Sequence, residues 1–330
     1  SGLSGDTGEA FDPCIRADSA VTFIGRKVGQ MTADGPDHCG KLVFDDLALE
    51  REIYRRVDPA ATISAKPAVA ARLRNSHKGL FGHVVVAGGE PGMLGAVVLA
   101  GRAALRTGAG LVTVLSVAEH LDQPVLSQPE LMSRTLDAQS DGAQAFAGAD
   151  AIVFGPGVAN SQWSQDLFCY LPKQDCAQVL DAGGLRLLAT APDHRPNRVL
   201  TPHPGEAAAL LKSTTSAIQS DRIAAAREIR DRFGGVCVLK GVGTVIADER
   251  RVEICDRGNP GMASAGMGDV LSGVIGALLA SGQSPSDAAR HGVWWHAAAG
   301  DLGRDALGES ALLASDVIER LPAVMDASIS

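Results

Sequence analysis

From His83 onward the chain alternates between two kinds of hydrophobic segment. Short β-branched runs at Val84–Ala87, Leu111–Leu115, Ala151–Phe154, Val179–Asp181, Val199–Thr201 and Val236–Lys240 predict strands. Between them lie Ala- and Leu-rich segments with helical spacing, such as Ala96–Thr107, Ser220–Phe233 and Val270–Ala280. In the last of these, Val270, Leu271, Val274, Ile275, Leu278 and Leu279 follow a helical period. Strands that alternate with helices form crossover units. The expected fold is therefore α/β, a mostly parallel central sheet covered by helices on both faces. Glycines cluster where the predicted strands end, at Gly88-Gly89, Gly155–Gly157 and Gly241–Gly243. That edge is where open α/β sheets bind ligands.

The first fifty residues follow another pattern. Two short apolar runs, Val21–Ile24 and Lys41–Phe44, flank a predicted turn at Gly35–Gly40. Two such strands cannot enclose a core, so residues 1–50 read as the end of a domain whose beginning lies outside this chain. A polar stretch, Glu50–Asp58, and a loop ending near Pro67 lead into the rest, so residues 51–330 are expected to form the second domain.

Composition narrows the function classes. With 330 residues, 45% of them hydrophobic, the chain supports one large or two modest cores. The net charge is −8, and Lys and Arg are scattered in pairs such as Arg55–Arg56 and Arg250–Arg251. No basic stripe marks a nucleic-acid or membrane partner. The longest apolar stretch, Val270–Ala280, is too short to span a bilayer. Six cysteines show neither CxxC pairs nor metal-ligand spacing, which fits a reducing, cytoplasmic setting. The Val293-Trp294-Trp295 run suits either core or a subunit contact, and a homo-oligomer is expected.

Two motifs imitate nucleotide sites. Gly35-Pro-Asp-His-Cys-Gly-Lys41 has Walker A spacing, but Leu42 carries no hydroxyl and Lys41–Phe44 reads as a strand where a helix is required. Gly155-Pro-Gly157-Val-Ala-Asn160 begins a dinucleotide fingerprint, and Asn160 breaks it at the third glycine.

Four other segments carry chemistry. Asn259–Asp269 leads into the Val270–Ala280 helix, which places Gly266, Gly268 and Asp269 at its N-terminus. Freed backbone N–H groups there form an anion site. Asp269 is either a cap or the base that takes a proton from an attacking hydroxyl. Lys240-Gly241-Val242-Gly243-Thr244 ends a strand with an ammonium, flexible backbone and a hydroxyl, suited to phosphate or to a plain hairpin turn. Thr201-Pro-His203-Pro-Gly-Glu206 fixes a histidine between two prolines, and Gly88–Ala96 joins the first strand to its helix through four glycines.

Together these residues resemble the ADP-dependent NAD(P)H-hydrate dehydratases, a branch of the ribokinase-like superfamily. The resemblance runs from His77-Lys-Gly-Leu-Phe-Gly-His-Val84 to Leu313-Ala-Ser-Asp316 and includes His296-Ala-Ala-Ala-Gly-Asp301. Residues 1–50 resemble the tail of a Rossmann-like NAD(P)H-hydrate epimerase domain, whose activity is not expected from this chain. The resemblance implies dehydration of (6S)-NAD(P)H hydrate, driven by ADP or ATP with Mg2+ and leaving AMP and phosphate when ADP is used. It implies Asp269 as base and also as a substrate contact, with the amides around Gly266, Met267 and Gly268 as anion hole. Lys240, Gly241, Val242, Gly243, Thr244 and Gly268 would hold the adenine nucleotide, while Ala96, Gly157 and His203 would line the hydrated dinucleotide's site. Mg2+ would ride on the phosphates, with no protein cage. Met267 stands where many relatives have Thr, and Gly183 where Asp is usual, which makes Asp181 the candidate for contacts near the nucleotide or metal. The nearest alternative is a ribokinase-like kinase of a small alcohol such as a vitamin precursor; others are an NAD-dependent oxidoreductase and a nucleotide-binding module without turnover.

Overall fold

The structure is a computed structural model and describes residues 2–136 and 142–329. The chain begins with β1 (Ser19–Phe23), a one-turn helix α1 (Gly35–Cys39), β2 (Lys41–Asp45), α2 (Arg51–Tyr54) and β3 (Thr62–Ile63). The next stretch holds β4 (His83–Ala87), α3 (Leu94–Thr107), β5 (Leu111–Ser116), α4 (Gln123–Ser127), β6 (Met132–Thr135) and α5 (Gly142–Ala145). It continues through β7 (Ala151–Phe154), α6 (Gln162–Tyr170), β8 (Ala177–Leu180), α7 (Ala182–Thr190), β9 (Arg198–Leu200) and the helices α8 (Pro204–Leu211), α9 (Thr215–Ser220) and α10 (Arg222–Phe233). Then come β10 (Val236–Leu239), β11 (Thr244–Ala247), β12 (Val252–Cys255), α11 (Met267–Ala280), α12 (Pro285–Leu307) and α13 (Ala314–Asp326).

Ten strands form one sheet in the order β3-β12-β11-β10-β9-β8-β7-β4-β5-β6. Pairing is parallel from β10 through β6, as the alternating pattern predicts; β11 runs antiparallel to both β10 and β12. The chain leaves β4 toward β5 and β6, then returns to place β7 on β4's other side. This reversal opens a crevice beyond the strand ends, flanked by the loops after β4 and β7. Those loops are joined by Gly89 N–H to Pro156 O at 3.0 Å and Glu90 N–H to Gly157 O at 2.9 Å.

Successive side chains of β4 point to opposite faces, so Val84 and Val86 enter one core while Val85 and Ala87 enter the other. Helices α3, α11, α12 and α13 pack into the first, and α6 to α10 into the second. Helix α11 approaches α3 so closely that a Cβ at Gly273 would stand 2.0 Å from the Ala100 carbonyl oxygen. Only glycine fits that crossing. The tryptophans resolve to core: Trp294 and Trp295 are buried, and the Trp295 indole donates to Ser328 Oγ at 3.2 Å.

Several expectations shift. Gly35–Cys39 is a helical turn, and the predicted Ser220–Phe233 helix breaks at Asp221, whose carboxylate caps α10 by accepting from Ala224 N–H. Other expectations hold: the Walker-like Lys41 begins strand β2, where a phosphate loop would need a helix. Strands β1 and β2 pair in a separate two-stranded parallel sheet. Among the described residues no helix is long and apolar enough to cross a membrane.

Candidate active site

The C-terminal ends of β8 and β10 deliver Asp181 and Lys240 side by side. Lys240 Nζ donates to Asp181 Oδ1 at 2.7 Å, and Ser272 Oγ on α11 donates to Asp181 Oδ2 at 2.6 Å. Burial alone pushes Asp181 up, but the Lys240 ammonium and hydrogen bonds from Lys240, Ser272 and Thr201 overcome it and hold the carboxyl below its usual range. Burial likewise pulls Lys240 down, while Asp181 and Glu206 more than restore its charge. The pair is ionised.

Asp269 behaves in the opposite way. Helix α11 starts at Gly266, whose φ of +87° favours a residue without Cβ. Met267, Gly268 and Asp269 form its first turn. A Cβ on Gly268 would lie 3.1 Å from Lys240 Nζ and 3.4 Å from Asp181 Oδ2, so the ion pair sits directly at the helix N-terminus. Burial, then the neighbouring Asp181 charge, pushes Asp269 up to about 7 despite Lys240, with Glu206 adding to the rise. Two carboxyls in one site thus have their proton affinities driven apart, the arrangement that assigns acid and base roles.

The loop after β9 joins the cluster through backbone and side chain. Lys240 N–H donates to Pro202 O at 2.8 Å. His203 caps α8: its Nδ1 accepts from Gly205 and Glu206 N–H at 3.0 and 3.3 Å, while Glu206 Oε2 accepts from His203 N–H at 2.9 Å. This capping box fixes the Nε2–H tautomer, with Nε2 facing Glu206 Oε1 at 3.4 Å. Glu206 Oε2 in turn lies 3.9 Å from Lys240 Nζ. The prolines around His203 therefore serve a capping histidine whose ring is half exposed beside the site.

The remaining candidates occupy adjoining ledges. Gly241–Gly243 is the turn of the β10–β11 hairpin, braced by Thr244 Oγ1 donating to Gly241 O at 3.0 Å. The structure shows the hairpin turn, with Val242 exposed at its tip next to Lys240 in the chain. Met31 of the N-terminal segment touches its far side, with its carbonyl oxygen 2.0 Å from where a Gly243 Cβ would stand. Ala96 lies in the first turn of α3, and a Cβ at Gly157 would meet the Met93 carbonyl 2.6 Å away, so these two border the β4/β7 crevice together. Gly266 ties that crevice to α11, since its Cβ would be 2.6 Å from Leu99 Cδ1 on α3.

Nothing in the sequence points to Ser272, and His296 is marked only within the segment His296–Asp301, with no role attached. Ser272 stands one turn after Asp269 and braces Asp181, a relation visible only once β8 and α11 are adjacent. His296, on α12, is buried against the Met267 backbone and held neutral, down to about 4, first by burial and then by the Lys240 charge.

Comparison with known proteins bears on the family and the fold. The NAD(P)H-hydrate dehydratase family model matches residues 84–323. A bifunctional NAD(P)H-hydrate repair enzyme of Coxiella burnetii is 42% identical over 97% of this chain and 67% of its own length. An ADP-dependent (S)-NAD(P)H-hydrate dehydratase of Neisseria meningitidis serogroup B is 39% identical over 75% of this chain and 86% of its own. Among solved structures, an ADP/ATP-dependent NAD(P)H-hydrate dehydratase of Bacillus subtilis, co-crystallised with ATP/Mg2+, superposes with a TM-score of 0.71 at 30% identity, covering 79% of this chain and 95% of that one. The chain spans about two thirds of the length of the bifunctional relatives it matches. The expected ribokinase-like fold holds. On the family match, the identities and the coverage, the chain belongs to the NAD(P)H-hydrate dehydratases, lyases that repair hydrated nicotinamide nucleotides.

Proposed function

We propose that this chain transfers a phosphoryl group from ADP to the 6-hydroxyl of (6S)-hydrated NADH or NADPH and then lets phosphate leave. The products are NAD(P)H, AMP and phosphate. The observation that carries the reading is Asp269: a mostly buried carboxyl with its proton affinity raised to about 7, at the glycine-rich N-terminus of α11 and beside the Lys240 ammonium.

The chemistry accounts for a kinase-like scaffold in a dehydratase. Hydroxide leaves poorly, because water has a pKa of about 15.7. A phosphate monoester's second pKa is about 6, so the phosphorylated group departs far more readily. Ionised Asp269 accepts the proton of the 6-hydroxyl as its oxygen attacks phosphorus. The Met267 and Gly268 amides, with Gly266 setting the turn, face the phosphoryl group as it moves and stabilise its charge. Lys240 and the Gly241–Thr244 turn hold the nucleotide phosphates. The ring nitrogen's lone pair then expels phosphate as the C6–O bond breaks, and the resulting iminium gives up a C5 proton to the departing phosphate or to water, which restores the reduced nicotinamide. Ala96, Gly157 and His203 line the dinucleotide's side of the crevice.

Mg2+ would accompany the nucleotide and neutralise part of its phosphate charge. Carboxylate oxygens suit such a hard cation. Both Asp181 oxygens, however, are engaged by Lys240 and Ser272, so water and phosphate oxygens would supply most of its ligands. The choice of ADP is favoured by the resemblance to bacterial dehydratases. We also read residues 1–50 as the C-terminal part of an epimerase-like domain and residues 51–330 as the dehydratase domain. Stoichiometry tests the mechanism: AMP, phosphate and NADH should appear one for one, whereas a stable phosphate ester without NADH would mark a simple kinase.

A further inference from the structure

Arg222, the first residue of α10, is only 2% exposed. The other arginine buried to this degree among the described residues, Arg198, is paired with Asp193, and the partly buried Arg290 with Asp248 and Glu253. Arg222 has no such partner among the described residues. Its Nη1 donates to Gln219 Oε1 at 2.6 Å, its Nη2 donates to the carbonyl oxygens of Leu239 and Lys240 at 3.2 Å each, and its Nε is buried without a partner. Burial pulls its pKa down to about 10, as expected for a cation whose charge nothing neutralises. Isolating a charge in the interior is costly.

The side chain lies under the proposed nucleotide turn. A Cβ on Gly241 would meet Arg222 Nη1 and Nη2 at 3.0 and 3.1 Å. Because a trans peptide points its C=O and N–H in opposite directions, drawing the Lys240 carbonyl toward Arg222 turns the Gly241 N–H away from it. The amide thus faces the outer side of the turn, where Val242 is exposed. We propose that Arg222 is a positioning residue for a nucleoside polyphosphate: it aims the Gly241 amide at the ligand, and its unneutralised charge attracts the phosphates through the thin glycine backbone. This rests on the nucleotide assignment of Lys240–Thr244 made above.

The test compares adenosine, AMP and ADP binding by titration calorimetry to the whole chain and to its Arg222→Met and Arg222→Lys variants. For Arg222→Met, ADP affinity should fall about tenfold or more, AMP affinity less, and adenosine affinity hardly at all, because the lost attraction scales with ligand charge. The KM for ADP should rise in parallel, with kcat and the KM for hydrated NADH within about threefold of the parent. Arg222→Lys, which keeps the charge, should retain most of the preference for ADP over adenosine; it also serves if Arg222→Met does not fold. Equal losses for all three ligands would mean that the residue only shapes the loop, and would overturn the proposal. So would unchanged ADP binding in Arg222→Met, or loss of the preference in Arg222→Lys. A parent chain that binds none of the three would instead defeat the nucleotide assignment itself.

Discussion

Lys240 Nζ stands 2.7 Å from Asp181 Oδ1, and after burial, which raises Asp269 most, the two members of this pair act on its proton in opposite senses. Asp181 repels a second negative charge on Asp269, while Lys240 attracts one. The balance, together with burial, leaves Asp269 titrating near neutrality, where a general base is most effective.

The pH dependence of turnover follows. Asp269 must be ionised to accept a proton, so kcat/KM should climb with unit slope as pH rises and level off above about 7. Glu206→Gln removes one of the charges that raise Asp269 and should move the rising limb to lower pH. A rate independent of pH between 5 and 8 would remove Asp269 from the proton transfer.

The same raised pKa makes Asp269 costly to the fold. The carboxyl binds its proton more tightly folded than unfolded, so its contribution is most favourable below the ordinary carboxylate pKa and declines as pH rises through about 7. Asp269→Asn should therefore be more stable than the parent by about 2 kcal/mol at pH 8, with the difference vanishing near pH 4. Urea unfolding at the two pH values checks both sign and window. A variant less stable than the parent at pH 8 contradicts the assignment.

Asp181 carries the opposite linkage. Its lowered pKa stabilises the fold above the ordinary carboxylate range and loses that effect as pH falls through the folded value. Asp181→Asn leaves Lys240 with only the more distant carboxyls of Glu206 and Asp269, and should cost about 3 kcal/mol at neutral pH, measured by denaturant unfolding. A cost below about 0.5 kcal/mol would mean that the pair is solvated in the molecule.

Two glycines of α11 separate fold from chemistry. A Cβ at Gly273 strikes the Ala100 backbone, so Gly273→Ala should lower stability by about 2 kcal/mol or more. A Cβ at Gly268 meets instead the mobile end of Lys240, at 3.1 Å. Gly268→Ala should keep the melting temperature within a few degrees and lose about tenfold or more in turnover, because the methyl occupies the phosphoryl side of the helix start. Comparable stability losses in both variants would argue against an open site at Gly268.

The central strands were legible because β4 and β7 are β-branched runs buried on both faces, and the helices because α3 and α11 repeat their apolar positions. Strand β12 was hidden by Glu253, a buried acid paired with Arg251, two residues before it, and with Arg290, which α12 brings from elsewhere in the fold. Edge strand β6 was hidden by the polar run Met132–Thr135. In the site, glycine-rich strand ends exposed Gly266–Asp269 and Lys240–Thr244. His203 showed its rigidity but not its role as a helix cap. Ser272 and Arg222 gave no local signal, since each acts on a residue that only tertiary packing brings near.

The most direct measurement follows the near-ultraviolet absorbance of reduced nicotinamide after hydrated NADH is mixed with Mg2+ and ADP, for the parent and for Asp269→Asn. The account predicts recovery that requires the nucleotide and falls about 100-fold or more in the variant. Recovery of equal rate in Asp269→Asn, or none from the folded parent with either ADP or ATP, would contradict it.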